Sequence, residues 1–312
     1  MENKPRIVIA GGSGFIGQTL AEFLSRRNFE IVVLTRGKDE SRGDIRYVTW
    51  DGKTAAAWTG ELDGAAAVIN LAGRSINCRF AEENRSQILD SRVNSTHALA
   101  NAVAGTATPP PVFVQASGIG YYRTSDERVI DESTPAGSDF MAEVCRHWEG
   151  ALHEFALPAT RKVILRIGIV LGRSGGALSV LERLAKAYLG GAAGSGRQFV
   201  SWIHIDDLMR IAVAAIELHD LSGVFNATAP NPVTNAELMR ELRRVLRRPW
   251  SPPVPAPLVH LGGWLMGREG GLALQSFRIL PKRLLDAGFT FEYPRLQDAL
   301  RDLYGLETRV AA

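Results

Sequence analysis

The stretch Arg6-Ile-Val-Ile-Ala-Gly-Gly-Ser-Gly-Phe-Ile-Gly17 decides the fold. An apolar, β-like run passes directly into glycines at 11, 14 and 17, and then into a segment whose apolar residues Phe15, Ile16, Leu20, Phe23 and Leu24 recur at helical spacing. A strand that turns into a helix on glycines reads as a dinucleotide-binding turn. Gly11 permits the sharp exit from the strand, Gly14 lets backbone N–H groups approach a pyrophosphate, and Gly17 lets the helix pack close on the sheet. Ser13, Phe15 and Ile16 flank the helix start, whose positive dipole end faces the phosphates. Glycine-rich turns are common in a chain with 31 Gly among 312 residues, so the weight rests on context. A second β-like run, Glu30-Ile-Val-Val-Leu-Thr-Arg36, follows the helix at once.

Further strand-like runs at Ile45 to Trp50, Ala66 to Leu71, Val112 to Ser117 and Lys162 to Ile169 alternate with helical patterns at Glu82 to Val103 and Ser138 to Phe155. That alternation predicts an α/β fold, a doubly wound parallel sheet, and the nearly continuous apolar runs suit strands covered on both faces. After Gly172 the texture changes. An amphipathic stretch to Leu189 and a glycine-rich loop, residues 190–196, lead into Gln198 to Asp207, where Asp206 or Asp207 is placed to cap a helix running through Leu218. A short strand at Gly223 to Ala227 returns to the sheet. Beyond Pro230 the chain is mostly helical, with Pro249, Pro252, Pro253, Pro255 and Pro257 as a stiff connector. The expected division is a dinucleotide-binding domain of residues 1–175 plus 200–229 and a smaller, mainly helical C-terminal lobe of residues 176–199 plus 230–312.

Formal net charge is +3, and the one dense basic segment, Arg240 to Arg248, reads as a solvated helix face rather than a nucleic-acid surface. No apolar run is long enough to span a bilayer, and Met1 to Pro5 leaves no room for a secretory signal before the first strand. Two cysteines, Cys78 and Cys145, give neither a disulfide framework nor zinc spacing, so the expectation is a reducing, cytoplasmic setting without a bound metal.

Where NAD enzymes carry an acidic residue to bind ribose hydroxyls, this chain has Thr35-Arg36, and an arginine there favours the 2′-phosphate of NADP. NADP(H) is therefore the expected cofactor. Leu71, Ala72 and Gly73 end a buried strand at its carboxyl edge, where open α/β sheets bind ligands, and are expected cofactor contacts.

Together, Gly11-Gly-Ser-Gly-Phe-Ile-Gly17, Val68-Ile-Asn-Leu-Ala-Gly73, Ser117-Gly-Ile-Gly-Tyr-Tyr122, Arg166-Ile-Gly-Ile-Val-Leu-Gly172, Trp202-Ile-His-Ile-Asp-Asp207 and Leu280 to Phe289 resemble the extended short-chain dehydrogenase/reductase superfamily. Within it they resemble the atypical branch of the NAD(P)-dependent epimerase/dehydratase family. The resemblance covers almost the whole chain. It implies that Gln87 and Arg92 face the cofactor, that Ser117 hydrogen-bonds the reacting oxygen, and that Tyr122 lines the substrate pocket. The usual chemistry also needs a Tyr and, four residues on, a Lys. The expected helix, Asp139 to Glu149, contains neither; Phe140 or Met141 replaces the Tyr, and Val144 or Cys145 the Lys.

Tyr121 or Tyr122 could supply a phenol instead, and Glu143, His147 and Glu149 could carry protons if they faced the cleft. His204 reads as structural. Arg197, beside Gly194-Ser-Gly196, is expected to meet a substrate anion. The expected activity is that of an oxidoreductase or epimerase on a small polar substrate, with a homodimer compatible; the alternatives are an NADPH-binding regulator without turnover and a non-catalytic scaffold.

Overall fold

The computed structural model describes residues 4–125 and 127–306. The central sheet has eight strands: β1 (Arg6–Ala10), β2 (Glu30–Thr35), β3 (Glu40–Arg42), β4 (Ile45–Thr49), β5 (Ala67–Asn70), β6 (Val112–Gly118), β7 (Arg161–Ile167) and β8 (Gly223–Ala227). Their spatial order is β8-β7-β6-β5-β1-β2-β4-β3. All neighbours are parallel except β3, which pairs antiparallel with β4 at the edge.

The central strands β1, β2, β5 and β6 are mostly apolar because both faces are covered. Ile7 and Ile9 of β1, with Ile31, Val33, Ile69, Val114 and Leu165, join a core formed with α1 (Phe15–Ser25). Val8 and Ala10, with Val32, Leu34, Val68, Phe113 and Ile164, face a second core under α2 (Glu82–Ala104) and α3 (Phe140–His153). This is the doubly wound parallel sheet that the alternation predicts. Because β1 lies between β2 and β5, the winding direction reverses there, and a crevice opens at the carboxyl ends of β1 and β5.

The first core continues through α4 (Gly176–Lys186), α5 (Ile205–Glu217), α6 (Asn235–Val245) and α9 (Leu296–Leu303), contributing Leu178, Leu208, Leu242 and Leu300. Residues 176–199 meet residues beyond 230 directly: Ala193 bridges Val254, and the Gln198 amide donates to the Ala193 and Ala273 carbonyls. Helices α7 (Ala256–Leu265) and α8 (Lys282–Asp286) complete this part. The basic residues of α6 are largely paired: Arg240 and Arg244 with Glu241, and Arg243 with the Gly190 carbonyl. Among the described residues, no helix is long and apolar enough to cross a membrane.

One cap differs from expectation. His204, not Asp206 or Asp207, caps α5, its Nδ1 accepting from the Asp206 N–H at 3.2 Å. Asp207 is instead fully buried, accepting from the backbone N–H groups of Glu292 and Tyr293 at 2.8 and 2.9 Å, so it ties α5 to the C-terminal segment. His204 Nε2 faces Asp302 Oδ2 at 3.3 Å, and Asp206 is close by. An imidazole whose Nδ1 lone pair is engaged keeps its proton on Nε2, so buried His204 serves as the cap while Asp206 and Asp302 remain partly exposed beside it. Burial lowers the His204 pKa despite Asp206 and Asp302. As pH falls below the ordinary value of about 6.5, the unfolded chain takes up a proton before the folded one, and stability is lost. Replacing His204 by Asn, which can still cap, is expected to flatten the fall in Tm between neutral and mildly acidic pH; an unchanged slope would show that other groups set it.

Candidate functional site

The crevice is built by backbone first. Leu71 N donates to Ala10 O at 2.9 Å, so the ends of β1 and β5 leave the sheet in contact. Gly11 has φ +76°, and a Cβ there would lie 2.7 Å from Ala72 N and Leu71 C. A Cβ at Gly17 would lie 2.5 Å from Gly12 Cα, so α1 starts hard against the turn. Gly14 is different: a Cβ there would meet only Gly11 O, at 3.6 Å. The fold itself does not demand glycine at 14; the space lies open before the start of α1. No side chain caps that helix, so its first N–H groups and positive dipole end face the opening. Ser13 is exposed beside it, and Phe15 packs against Gly172, Gly175 and Gly176.

At the second wall, Asn70 Oδ1 accepts from Ala72 N at 3.0 Å, while its amide nitrogen donates to Thr96 and Gln115. The N–H groups of Leu71 and Ala72 are therefore both engaged. Arg92 lies along Gly73, where a Cβ would come within 3.0 Å of its Cζ. Its guanidinium donates to the carbonyls of Arg74 and Ile88 and stacks on Trp148 at 4.9 Å. Burial pushes it down to about 10, so it remains charged at neutral pH. Gln87, expected with it, is exposed and donates to Glu83 one turn back, and among the described residues no contact joins it to Arg92 or Gly73. The two differ because five residues on a helix carry Gln87 round to the outer face. At the far end Thr35 Oγ1 accepts from Gly37 N, and Arg36 is exposed with no partner among the described residues.

Ser117, at the carboxyl end of β6, is 4% exposed and donates to Glu149 Oε1 at 2.6 Å. Arg166 of β7 grips the same carboxylate with Nε and Nη2 at 2.9 and 2.7 Å, and its Nη1 donates to the Tyr122 hydroxyl at 2.9 Å. Tyr122 in turn donates to Asn226 at 2.7 Å. Burial opposes the Arg166 charge, but the Glu149 and Tyr122 contacts outweigh it and hold the pKa above its ordinary range. Tyr122 is fully buried, and burial pushes its phenol up to about 12 despite Arg166. The structure places it in this network, not on an open surface. The Tyr121 ring covers the Arg166 guanidinium at 3.3 Å, and its hydroxyl makes no hydrogen bond among the described residues.

Met141 and Cys145 occupy the α3 face toward β6: Met141 Cβ lies 3.1 Å from where a Cβ at Gly120 would sit, and Cys145 Sγ donates to Gly118 O at 3.6 Å. Glu149 continues that face at the same four-residue step. Burial, then the Glu149 charge, pushes the Cys145 thiol up to about 11, so it is a neutral thiol at neutral pH. Glu143 and His147 point outward, exposed. Sequence reading named Glu149 only as one of three carriers; the 141, 145, 149 spacing was the signal that singles it out. Arg197 is highly exposed, with its guanidinium 3.7 Å from Glu127.

Residues 7–227 match the model of the NAD dependent epimerase/dehydratase family, and residues 254–303 match a domain of unknown function (DUF1731). The chain is 37% identical over 308 residues to the chloroplastic homolog of epimerase family protein SDR39U1 of Arabidopsis thaliana, covering 96% of this chain and 87% of that one. It is 34% identical over 305 residues to human SDR39U1, covering 96% and 99%. The crystal structure of human SDR39U1 isoform 2 with NADPH superposes with a TM-score of 0.87 at 33% identity, covering 96% of this chain and 99% of that one. With a family match across most of its length and the glycine crevice at its switch point, the chain belongs to the NAD-dependent epimerase/dehydratase family.

Proposed function

We propose that the protein binds NADP(H) and acts as an oxidoreductase or epimerase on a small polar substrate. The observation that carries this reading is the open start of α1 at Gly14, with no side-chain cap, on a turn whose Gly11 lies against the backbone of Leu71 and Ala72, with Arg36 exposed and without a partner among the described residues at the end of the neighbouring strand. Gly11 and Gly17 hold the cradle, the N–H groups of Phe15, Ile16 and Gly17 would take the pyrophosphate, and Arg36 would take the 2′-phosphate. The similarity to a structure solved with NADPH supports the same cofactor. A bound nicotinamide supplies hydride transfer. The chain's own part is to orient the substrate and move a proton, and here Ser117 with Glu149 and Tyr121 are the groups at hand. Arg197, free to leave its exposed ion pair, would meet an anionic substrate group. The reducing, cytoplasmic setting belongs to this same reading.

One observation favours a second reading, an NADPH-binding regulator without turnover: α3 carries no Tyr and no Lys, and its face toward β6 presents the Met141 thioether and the neutral buried Cys145 thiol. The two are separated by incubating the protein with NADPH carrying deuterium at both C4 positions and a panel of small carbonyl compounds, and in parallel with NADP+ and the matching alcohols deuterated at the carbinol carbon. Deuterium in any product establishes the enzyme. Its absence from the whole panel, with NADPH bound, favours the regulator.

A further inference from the structure

We propose that Ser117 presents a hydrogen-bond acceptor and no donor to the candidate site, so that the ligand group seated against it is a hydroxyl or amide N–H, an alcohol-bearing substrate rather than a bare carbonyl. The inference rests on the oxidoreductase reading for the existence of a ligand there. The proton count gives the direction. Serine has one O–H, and the Ser117–Glu149 contact of 2.6 Å needs one hydrogen. Glu149 cannot supply it. Its Oε1 already accepts from Arg166 Nε and its Oε2 from Arg166 Nη2, a two-pronged grip on a carboxylate that has only lone pairs to give. Arg166 cannot swing away, because Tyr122 holds its third nitrogen and Tyr121 covers its face.

Cys145, which lies beside the Ser117 hydroxyl, uses its own hydrogen on the Gly118 carbonyl and is a neutral thiol, a poor competitor with a carboxylate for the serine proton. The Ser117 hydrogen therefore stays on the Glu149 side, and what remains on Oγ is lone-pair density. A ligand alcohol completes that oxygen's bonding. A ligand carbonyl meets lone pair against lone pair and forfeits a hydrogen bond. Glu149 and Arg166 act here as positioning residues that set the polarity of Ser117.

The test uses full-length protein saturated with NADPH, loading being read from the cofactor's own fluorescence, and ligand-observed NMR with cyclohexanol and cyclohexanone at matched concentrations. The alcohol is expected to bind roughly five- to tenfold more tightly. Ser117→Ala should equalise the pair and Ser117→Thr should keep the preference. Equal or tighter ketone binding, a preference unmoved by Ser117→Ala, or retention of neither compound by the loaded protein would each overturn the proposal. Failure to load NADPH would instead count against the cofactor reading. Neutron diffraction from crystals at neutral pD decides the proton independently of any ligand: deuterium on Ser117 Oγ directed at Glu149 supports the proposal, and deuterium on Glu149 or directed into the cleft contradicts it.

Discussion

Glu149→Ala is expected to destabilise the fold by about 3–5 kcal/mol, because it leaves the Arg166 charge buried without its partner. Both side chains are nearly sealed from solvent, at 5% and 7% exposure, so water cannot take the carboxylate's place. The same change removes the acceptor of Ser117, while Tyr122, itself donating to Asn226, remains to hold only one guanidinium nitrogen. Urea unfolding of the variant should show a midpoint shift with little change in slope. A double replacement, Glu149→Leu with Arg166→Met, is expected to recover much of the loss, since two apolar side chains of similar volume carry no desolvation cost. A loss under about 1 kcal/mol for Glu149→Ala would mean that the pair is wetter than its geometry says.

Arg36→Ala is expected to weaken NADPH binding roughly ten- to hundredfold and to leave NADH binding unchanged. The estimate takes one charge-assisted contact to the 2′-phosphate at about 1.5–3 kcal/mol, with tenfold in affinity for each 1.4 kcal/mol. Arg36 makes no hydrogen bond, ion pair or ring contact among the described residues, so the substitution should barely change the melting temperature. That separation of binding from stability distinguishes Arg36 from Arg92, which holds the Gly73–Arg74 loop and whose loss should affect both. Equal weakening for the two cofactors would place Arg36 on the adenine or ribose and leave the 2′-phosphate to another group.

The parts of this molecule that follow from local rules were legible in the sequence. Glycines 11 and 17 are dictated by backbone contacts of 2.5–2.7 Å, and period-free apolar runs announce strands buried on both sides. Position along the sequence also placed Leu71 and Ala72 at the carboxyl edge of β5, although it did not show that their N–H groups are occupied by Ala10 and Asn70. What sequence could not show were partners drawn from distant elements. Glu149, Arg166, Tyr122 and Asn226 come from a helix, a loop and two strands, and only the folded sheet brings them to one point. The cap of α5 illustrates the same limit. Asp206 and Asp207 have the better capping chemistry, but Asp207 is drawn away by two N–H groups more than eighty residues downstream, and His204 takes the cap.

The central claim, an NADP(H) site built on the start of α1 and selective through Arg36, is tested most directly by calorimetric titration of the cofactor-stripped protein with NADPH and then NADH. The account predicts micromolar binding of NADPH with at least a roughly tenfold preference over NADH. Binding of neither dinucleotide, or equal binding of both, would contradict it.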